Sequence, residues 1–301
     1  MENILDMLRE AGKRNASDLH LIVDCPPMLR INSALQSSNG NASLLPEDIS
    51  AAFLQLTTPE QRDVFHRTLE LDFSYSLHGV GRIRCNVALQ RGTIRLALRL
   101  LPPEIPTIDE LELPQICKEL AMRQRGLVIV SGPTGSGKST TLAAMIHHIN
   151  TDRTCHVVTI EDPIEYNYPN VNSAVTQREL GNDTLSFAAA LKHVLRQDPD
   201  VILVGEMRDL ETAASALTVA ETGHLVLTTG HAPSAARAME RVIDLFPPEQ
   251  RYLAQARLAS LISGVFCQTL VPRADGSGRI AAVEIMLGTP AVANLIRDSK
   301  I

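Results

Sequence analysis

Gly132-Pro133-Thr134-Gly135-Ser136-Gly137-Lys138-Ser139, preceded by the apolar run Leu127-Val128-Ile129-Val130 and followed by Thr140, is the stretch that decides the fold. It is a G-x-x-x-x-G-K-[ST] loop set between a strand and a helix, the setting in which this pattern holds the phosphates of a nucleoside triphosphate. The glycines permit backbone conformations that turn successive N–H groups toward the phosphates. Lys138 reaches the β and γ oxygens, and the Ser139 hydroxyl is placed to ligate Mg²⁺. The helix continuing through Thr140-Thr141-Leu142-Ala143-Ala144-Met145-Ile146 adds the positive end of its dipole. ATP and Mg²⁺ are therefore the expected cofactors.

Downstream of this loop, strands and helices alternate. The pattern predicts strands at 127–131, 155–160, 201–205 and 225–229, with helices at 138–149, 184–197, 209–222 and 233–245, hence a parallel sheet covered by helices. Asp183 and Asp209 stand where N-caps belong, and Gly223 where a helix ends. An antiparallel pair, 265–271 and 279–286, surrounds the turn-rich Ala274-Asp275-Gly276-Ser277-Gly278.

Ligands of an open parallel sheet bind beyond the carboxyl ends of its strands, and this rule sorts the carboxylates. Asp198 and Asp200 precede the strand Val201-Ile202-Leu203-Val204 and turn the chain. Glu206 leaves the carboxyl end of that strand and is the candidate for acting on Mg²⁺ through water, or on the attacking water itself. Strand 155–160 delivers Glu161-Asp162-Pro163-Ile164-Glu165 to the same edge, where carboxylates serve Mg²⁺ or deprotonate water. His231 lies just past strand 225–229, and His224 starts it. A structural role for either histidine is the plainer alternative.

The region before the loop has another texture. Ile83, Cys85, Val87 and Leu89 alternate with Arg82, Arg84 and Asn86. After Gln90-Arg91-Gly92, Ile94, Leu96, Leu98 and Leu100 share one face, with Arg95 and Arg99 on the other, which predicts a hairpin with one buried side. No acidic residue occurs from Phe73 to Pro103, so these arginines lack local partners. They either form a solvated face or reach a nucleotide on a neighbouring subunit. The change of texture at Pro102-Pro103-Glu104-Ile105-Pro106 divides the chain into an α+β domain at 1–101, a linker at 102–107 and an α/β domain at 108–301.

Composition narrows the class. The formal net charge is −6, there is no Trp, and aromatics make up 3% of the 301 residues. That balance argues against nucleic acid as a partner. The cysteines Cys25, Cys85, Cys117, Cys155 and Cys267 are scattered without a C-x-x-C pair, which predicts a reduced compartment and no structural zinc. Met1-Glu2-Asn3-Ile4-Leu5-Asp6 lacks the charge and apolar core of a signal peptide, and a cytoplasmic protein is expected.

Taken together, several motifs resemble, over nearly the whole chain, the type IV pilus retraction ATPases among the secretion-type hexameric ATPases. They are Ala16-Ser17-Asp18-Leu19-His20-Leu21, the phosphate loop, Thr159-Ile160-Glu161-Asp162-Pro163-Ile164-Glu165-Tyr166, Gln197-Asp198-Pro199-Asp200 with Val204-Gly205-Glu206-Met207-Arg208-Asp209, and Ala220-Glu221-Thr222-Gly223-His224. The resemblance implies a RecA-like P-loop ATPase core with a smaller N-terminal PAS-like α+β domain, assembled as a homo-hexamer with ATP between subunits. It puts Glu165 at the position of the catalytic base and Glu206 in the Walker B segment, and it places His224 and His231 in the His box. Among Arg82, Arg84, Arg95 and Arg99 it implies trans-acting fingers. The implied partners are the inner-membrane platform protein of a pilus machine, where the protein docks peripherally, and paralogous ATPases.

Three positions depart from the family pattern. Thr229-Gly230-His231-Ala232 stands where the family has Thr-Leu-His-Thr, and Ala291-Val292-Ala293-Asn294-Leu295 lacks the family's first arginine. Relatives continue through further helices where this sequence ends at Ile301, so a shortened ATPase domain is expected. Pilus-assembly and type II secretion ATPases are the neighbouring alternative, though they carry a tetracysteine zinc insertion that a chain without C-x-x-C does not. A weakly hydrolysing accessory subunit and a nucleic-acid translocase are the alternatives from other classes.

Overall fold

In the computed structural model, which describes residues 3–31, 34–38, 42–101, 104–275 and 278–300, the chain divides into two units at Glu104/Ile105. The prolines Pro102 and Pro103 of the expected linker lie outside the described residues, as do Gly276 and Ser277 of the predicted turn.

The first unit comprises α1 (Ile4–Lys13), β1 (Asp18–Leu21), β2 (Met28–Ile31), β3 (Ala34–Ser37), α2 (Pro46–Leu56), α3 (Pro59–Thr68), β4 (Glu70–Leu77), β5 (Gly81–Gln90) and β6 (Thr93–Leu100). Its antiparallel sheet has the order β3-β2-β1-β6-β5-β4. Alternation sends Leu19, Leu21, Ile83, Cys85, Val87, Leu96 and Leu98 into a core with Ile4, Leu8, Phe53 and Phe65 from the helices. The other face carries Asp18, Arg84 and Arg99. Helix α1 starts where the Asn3 side chain accepts from Leu5 N at 3.0 Å, and α3 starts with a Thr58/Gln61 capping box. The predicted hairpin is β5–β6, except that Leu89, expected on the buried face, is 41% exposed because the ladder has there run past the core.

The second unit runs α4 (Ile116–Ala121), β7 (Gly126–Ser131), α5 (Lys138–Asp152), β8 (His156–Glu161), β9 (Ala174–Glu179), α6 (Phe187–Val194), β10 (Val201–Val204), α7 (Leu210–Glu221), β11 (Leu225–Thr229), α8 (Ala235–Asp244), α9 (Pro248–Leu261), β12 (Ile262–Pro272), β13 (Arg279–Leu287) and α10 (Pro290–Arg297). The sheet order is β13-β12-β7-β11-β10-β8-β9, parallel except for the β12–β13 hairpin. Strand parity explains why both faces are apolar. Leu127, Ile129, Val158, Ile160, Ile202, Val204 and Val226 pack against α6 to α10, while Val128, Val130, Val157, Leu203, Leu225 and Leu227 pack against α4 and α5.

Asp209 caps α7, accepting from Thr212 N at 2.8 Å, and Gly223 follows that helix at φ 102°. Asp183 does not cap α6. Its carboxylate accepts from Glu179 N in a turn, and Ser186 caps the helix instead, accepting from Ala189 N at 3.0 Å. The helix therefore starts later than the predicted 184.

Candidate nucleotide site

The carboxyl ends of β7, β8, β10 and β11 form one edge, and the sequence places a polar group at each. Beyond β7, Gly132, Gly135 and Gly137 take φ values of 144°, 78° and 85°, a region that side chains disfavour. A Cβ on Gly132 would collide with the carbonyl of Gln268, so the loop also needs glycine for space. Pro133, Thr134 and Gly135 are exposed, whereas Ser136 is buried with its Oγ lacking any hydrogen-bond partner. Lys138, 9% exposed, opens α5 and donates from Nζ to the carbonyls of Gly132 and Pro133, both at 3.0 Å. Burial pushes its pKa below the ordinary lysine value, against the pull of the Glu165 and Glu206 carboxylates. Ser139 and Thr140 follow on the first turn of α5.

The strand β8 is extended by a fastened loop. Glu161 is buried, accepting from Thr159 Oγ1 at 2.6 Å and from Gln177 Nε2 at 3.2 Å, and burial raises its pKa despite those bonds. Ile164 N donates to Glu179 Oε2 at 3.0 Å, and Tyr166 OH lies 3.0 Å from Thr140 Oγ1. Glu165 is thus an exposed carboxylate between two fixed residues, its charge felt at Lys138. Of the three acidic residues on this loop, Glu161 faces inward and Asp162 and Glu165 face out.

Glu206, past β10, is 15% exposed at its side chain. Its Oε2 lies 2.6 Å from Arg208 Nε and 3.4 Å from His231 Nε2. Lys138, Glu165, Glu206 and His231 therefore gather at one edge. His224 does not join them. It stands at the opposite end of β11, where Nδ1 is 3.0 Å from the Val219 carbonyl and 3.1 Å from Thr222 Oγ1.

The arginines belong to the first unit. Arg99 has a partner that the local sequence hides, donating from Nε to Asp18 Oδ1 at 3.0 Å, and Arg95 donates to Asn86 Oδ1 at 3.3 Å. Arg84 is exposed, cross-strand from Arg99 and Ser74. The reading of Arg99 as partnerless is thereby corrected, since a carboxylate 81 residues away serves it.

Gln268 was missed by the sequence reading. From β12 it donates to the Ser136 carbonyl at 2.6 Å and accepts from Thr141 Oγ1 at 3.0 Å. A lone amide inside the apolar run of that strand was the available signal. A cavity of about 320 Å³ lies alongside, lined by Gly137, Thr140, Leu270 and Ile280 among others.

The glycine cradle, the orphaned Ser136 hydroxyl and the desolvated ammonium fit a polyphosphate. Among the described residues no group of three His, Cys, Asp or Glu side chains could hold a metal by itself. The Ser139 hydroxyl and the Glu206 carboxylate are oxygen donors of the kind that Mg²⁺ takes beside phosphate oxygens.

The model for type II/IV secretion system proteins matches residues 89–296. The chain belongs to this family. Among its members, the type IV pilus retraction ATPase PilT of Pseudomonas aeruginosa is 44% identical over 99% of this chain and 86% of its own length. A twitching motility protein of Neisseria gonorrhoeae is 42% identical over 99% and 80%. A crystal structure of the pilus retraction motor PilT with bound ADP superposes with a TM-score of 0.94 at 45% identity, covering all of this chain and 87% of that one. The secretion-ATPase family expected from the motifs, with an ATPase core and an N-terminal domain, is thereby met.

Proposed function

We propose that this chain is an ATP hydrolase subunit of a homo-hexameric motor that retracts a type IV pilus. The convergence of Lys138, Glu165, Glu206 and His231 at one sheet edge carries the reading, and the pilus retraction and twitching motility proteins among its relatives give the direction of the motor.

The loop amides and the α5 dipole bind the β- and γ-phosphates. Lys138 exchanges the Gly132 and Pro133 carbonyls for phosphate oxygens. The 320 Å³ cavity beside Gly137 and Thr140 receives the base end. Glu165 accepts a proton as water oxygen attacks the γ-phosphorus, the bond from that phosphorus to the β–γ bridging oxygen breaks, and ADP leaves with the bond's electrons. Glu206 orients the water, and His231, 3.4 Å from that carboxylate, reads the γ-phosphate. Ser139 and, through water, Glu206 would hold Mg²⁺, which would neutralise charge on the phosphate oxygens. Arg84, together with Arg82 and Arg95, supplies positive charge to the nucleotide of a neighbouring copy. His224, held beside the Val219 carbonyl at the other end of β11, lies outside this cluster. The platform protein of the inner membrane and paralogous ATPases are the partners, met from the cytoplasmic side.

The test is steady-state ATP hydrolysis against protein concentration, with light scattering on the same samples. Turnover confined to a hexamer-sized species supports the reading. Tight ATP binding by a monomer without turnover replaces it with a nucleotide-binding accessory subunit.

A further inference from the structure

Ser131 is the last residue of β7 and immediately precedes the phosphate loop. It is fully buried, and its hydroxyl makes a reciprocal pair of bonds with one residue of the neighbouring chain segment. Oγ donates to the Ala232 carbonyl at 2.9 Å and accepts from the Ala232 amide at 2.8 Å. Ala232 is the residue after His231. The residue before it, Gly230, donates its amide to the Val130 carbonyl at 2.9 Å. The backbone on both sides of His231 is therefore fastened to the two residues that lead into the phosphate loop.

Gly230 belongs to the same device. Its φ is not in the left-handed region, so its conformation does not call for glycine. Space does: a Cβ there would lie 3.1 Å from Ser131 Oγ and 3.5 Å from Ile129 Cγ2. The leucine that the family pattern has at this position would press on the hydroxyl that holds Ala232. Gly230 and Ala232 are two of the departures from the family run, and both touch Ser131.

We propose that Ser131 is a positioning residue for His231, holding the imidazole at the Glu206 carboxylate in register with the phosphate loop. The bonded sequence is continuous: Lys138 Nζ to the Gly132 carbonyl, Gly132 to Ser131 through the chain, Ser131 to Ala232, and His231 to Glu206. A movement of the loop at one end is met at the other by a backbone with two fixed points. The inference rests on the ATPase reading above and adds a residue to its machinery.

The test compares Ser131→Thr with Ser131→Val, which share a shape and differ in one hydroxyl. Both are purified alongside the parent, and kcat and KM for ATP are measured. Retention of kcat by Ser131→Thr to within about twofold, with a loss of about tenfold or more in Ser131→Val at unchanged KM, is the expected result, since the hydroxyl's two buried bonds are lost. The Ser131→Val change is then placed in a His231→Ala background. If Ser131 acts through His231, it costs nothing further there.

Equal kcat for the Thr and Val variants, or full additivity with His231→Ala, overturns the proposal. Should the valine variant melt below the assay temperature, Gly230→Ala crowds the same hydroxyl from the other side. It is expected to lower kcat, and an unchanged kcat overturns the proposal equally. A parent protein that does not hydrolyse ATP overturns the ATPase reading instead, which separates the two failures.

Discussion

Gln268 donates its side-chain amide to the backbone carbonyl of Ser136 at 2.6 Å, tying β12 to the crest of the phosphate loop. Both groups are buried, so removing the amide leaves a carbonyl without a partner. Gln268→Leu should weaken ADP binding by about tenfold, the equivalent of ~1.4 kcal/mol. Titration with a fluorescent ADP analogue measures this. An unchanged Kd would show that the loop keeps its shape without β12.

Binding and turnover should separate between two variants. A hundredfold excess of ADP over its Kd stabilises a protein by about 2.7 kcal/mol. The parent and Glu206→Gln should both show that rise in thermal melts, whereas Lys138→Met should show none. Glu206→Gln should nonetheless lose turnover. Parent-level hydrolysis in Glu206→Gln would be incompatible with the role assigned to that carboxylate.

Acid should weaken the first unit through Asp18. Burial pushes its carboxyl upward, but the hydrogen bond from Ser17 and the nearby Arg99 guanidinium outweigh that and hold it below the ordinary 3.8. A lowered carboxyl contributes stability that is fully present above about pH 5 and is lost as pH falls through the folded value. Melts from pH 7 down to pH 3 should therefore decline more steeply in the parent than in Asp18→Asn, which should start lower at pH 7. Parallel curves would refute this.

Mixing experiments address the arginines. If Arg84 serves the nucleotide of a neighbouring copy, Arg84→Ala and Lys138→Ala preparations should each be weak alone and partly active when mixed, because some interfaces then pair an intact loop with an intact arginine. No recovery on mixing would leave Arg84 as a solvated side chain. Arg99 is a poorer choice for this experiment, since its loss also removes its 3.0 Å ion pair with Asp18 and leaves that carboxylate only the longer pair with Arg30, at 3.7 Å.

How much could be read from the chain follows the range of the interactions. The period-two pattern at 83–87 and 96–98 marks β5 and β6 because each core residue there answers to its own strand. The places of the phosphate loop after β7 and of Glu206 past β10 were legible because a short motif and the end of a strand suffice to fix them. Local rules gave the wrong cap for α6, where Asp183 and Ser186 are equally plausible and the turn at 180–184 decides. Strand β9 reads Ala-Val-Thr-Gln-Arg-Glu at the sheet edge, with too little apolar alternation to be seen. The Arg99–Asp18 and Gln268–Ser136 bonds join residues far apart in sequence, and no window of neighbours contains both ends.

The place of β7 in its sheet has a consequence for biosynthesis. This strand lies between β11 and β12, which begin at residues 225 and 262, whereas β7 itself ends at 131. A chain leaving the ribosome therefore has no lateral partner for the phosphate-loop strand until most of the polypeptide is made. The antiparallel sheet of the first unit, complete by residue 100, can close long before. The sheet that holds the phosphate loop is thus completed only after the first unit can have formed its own.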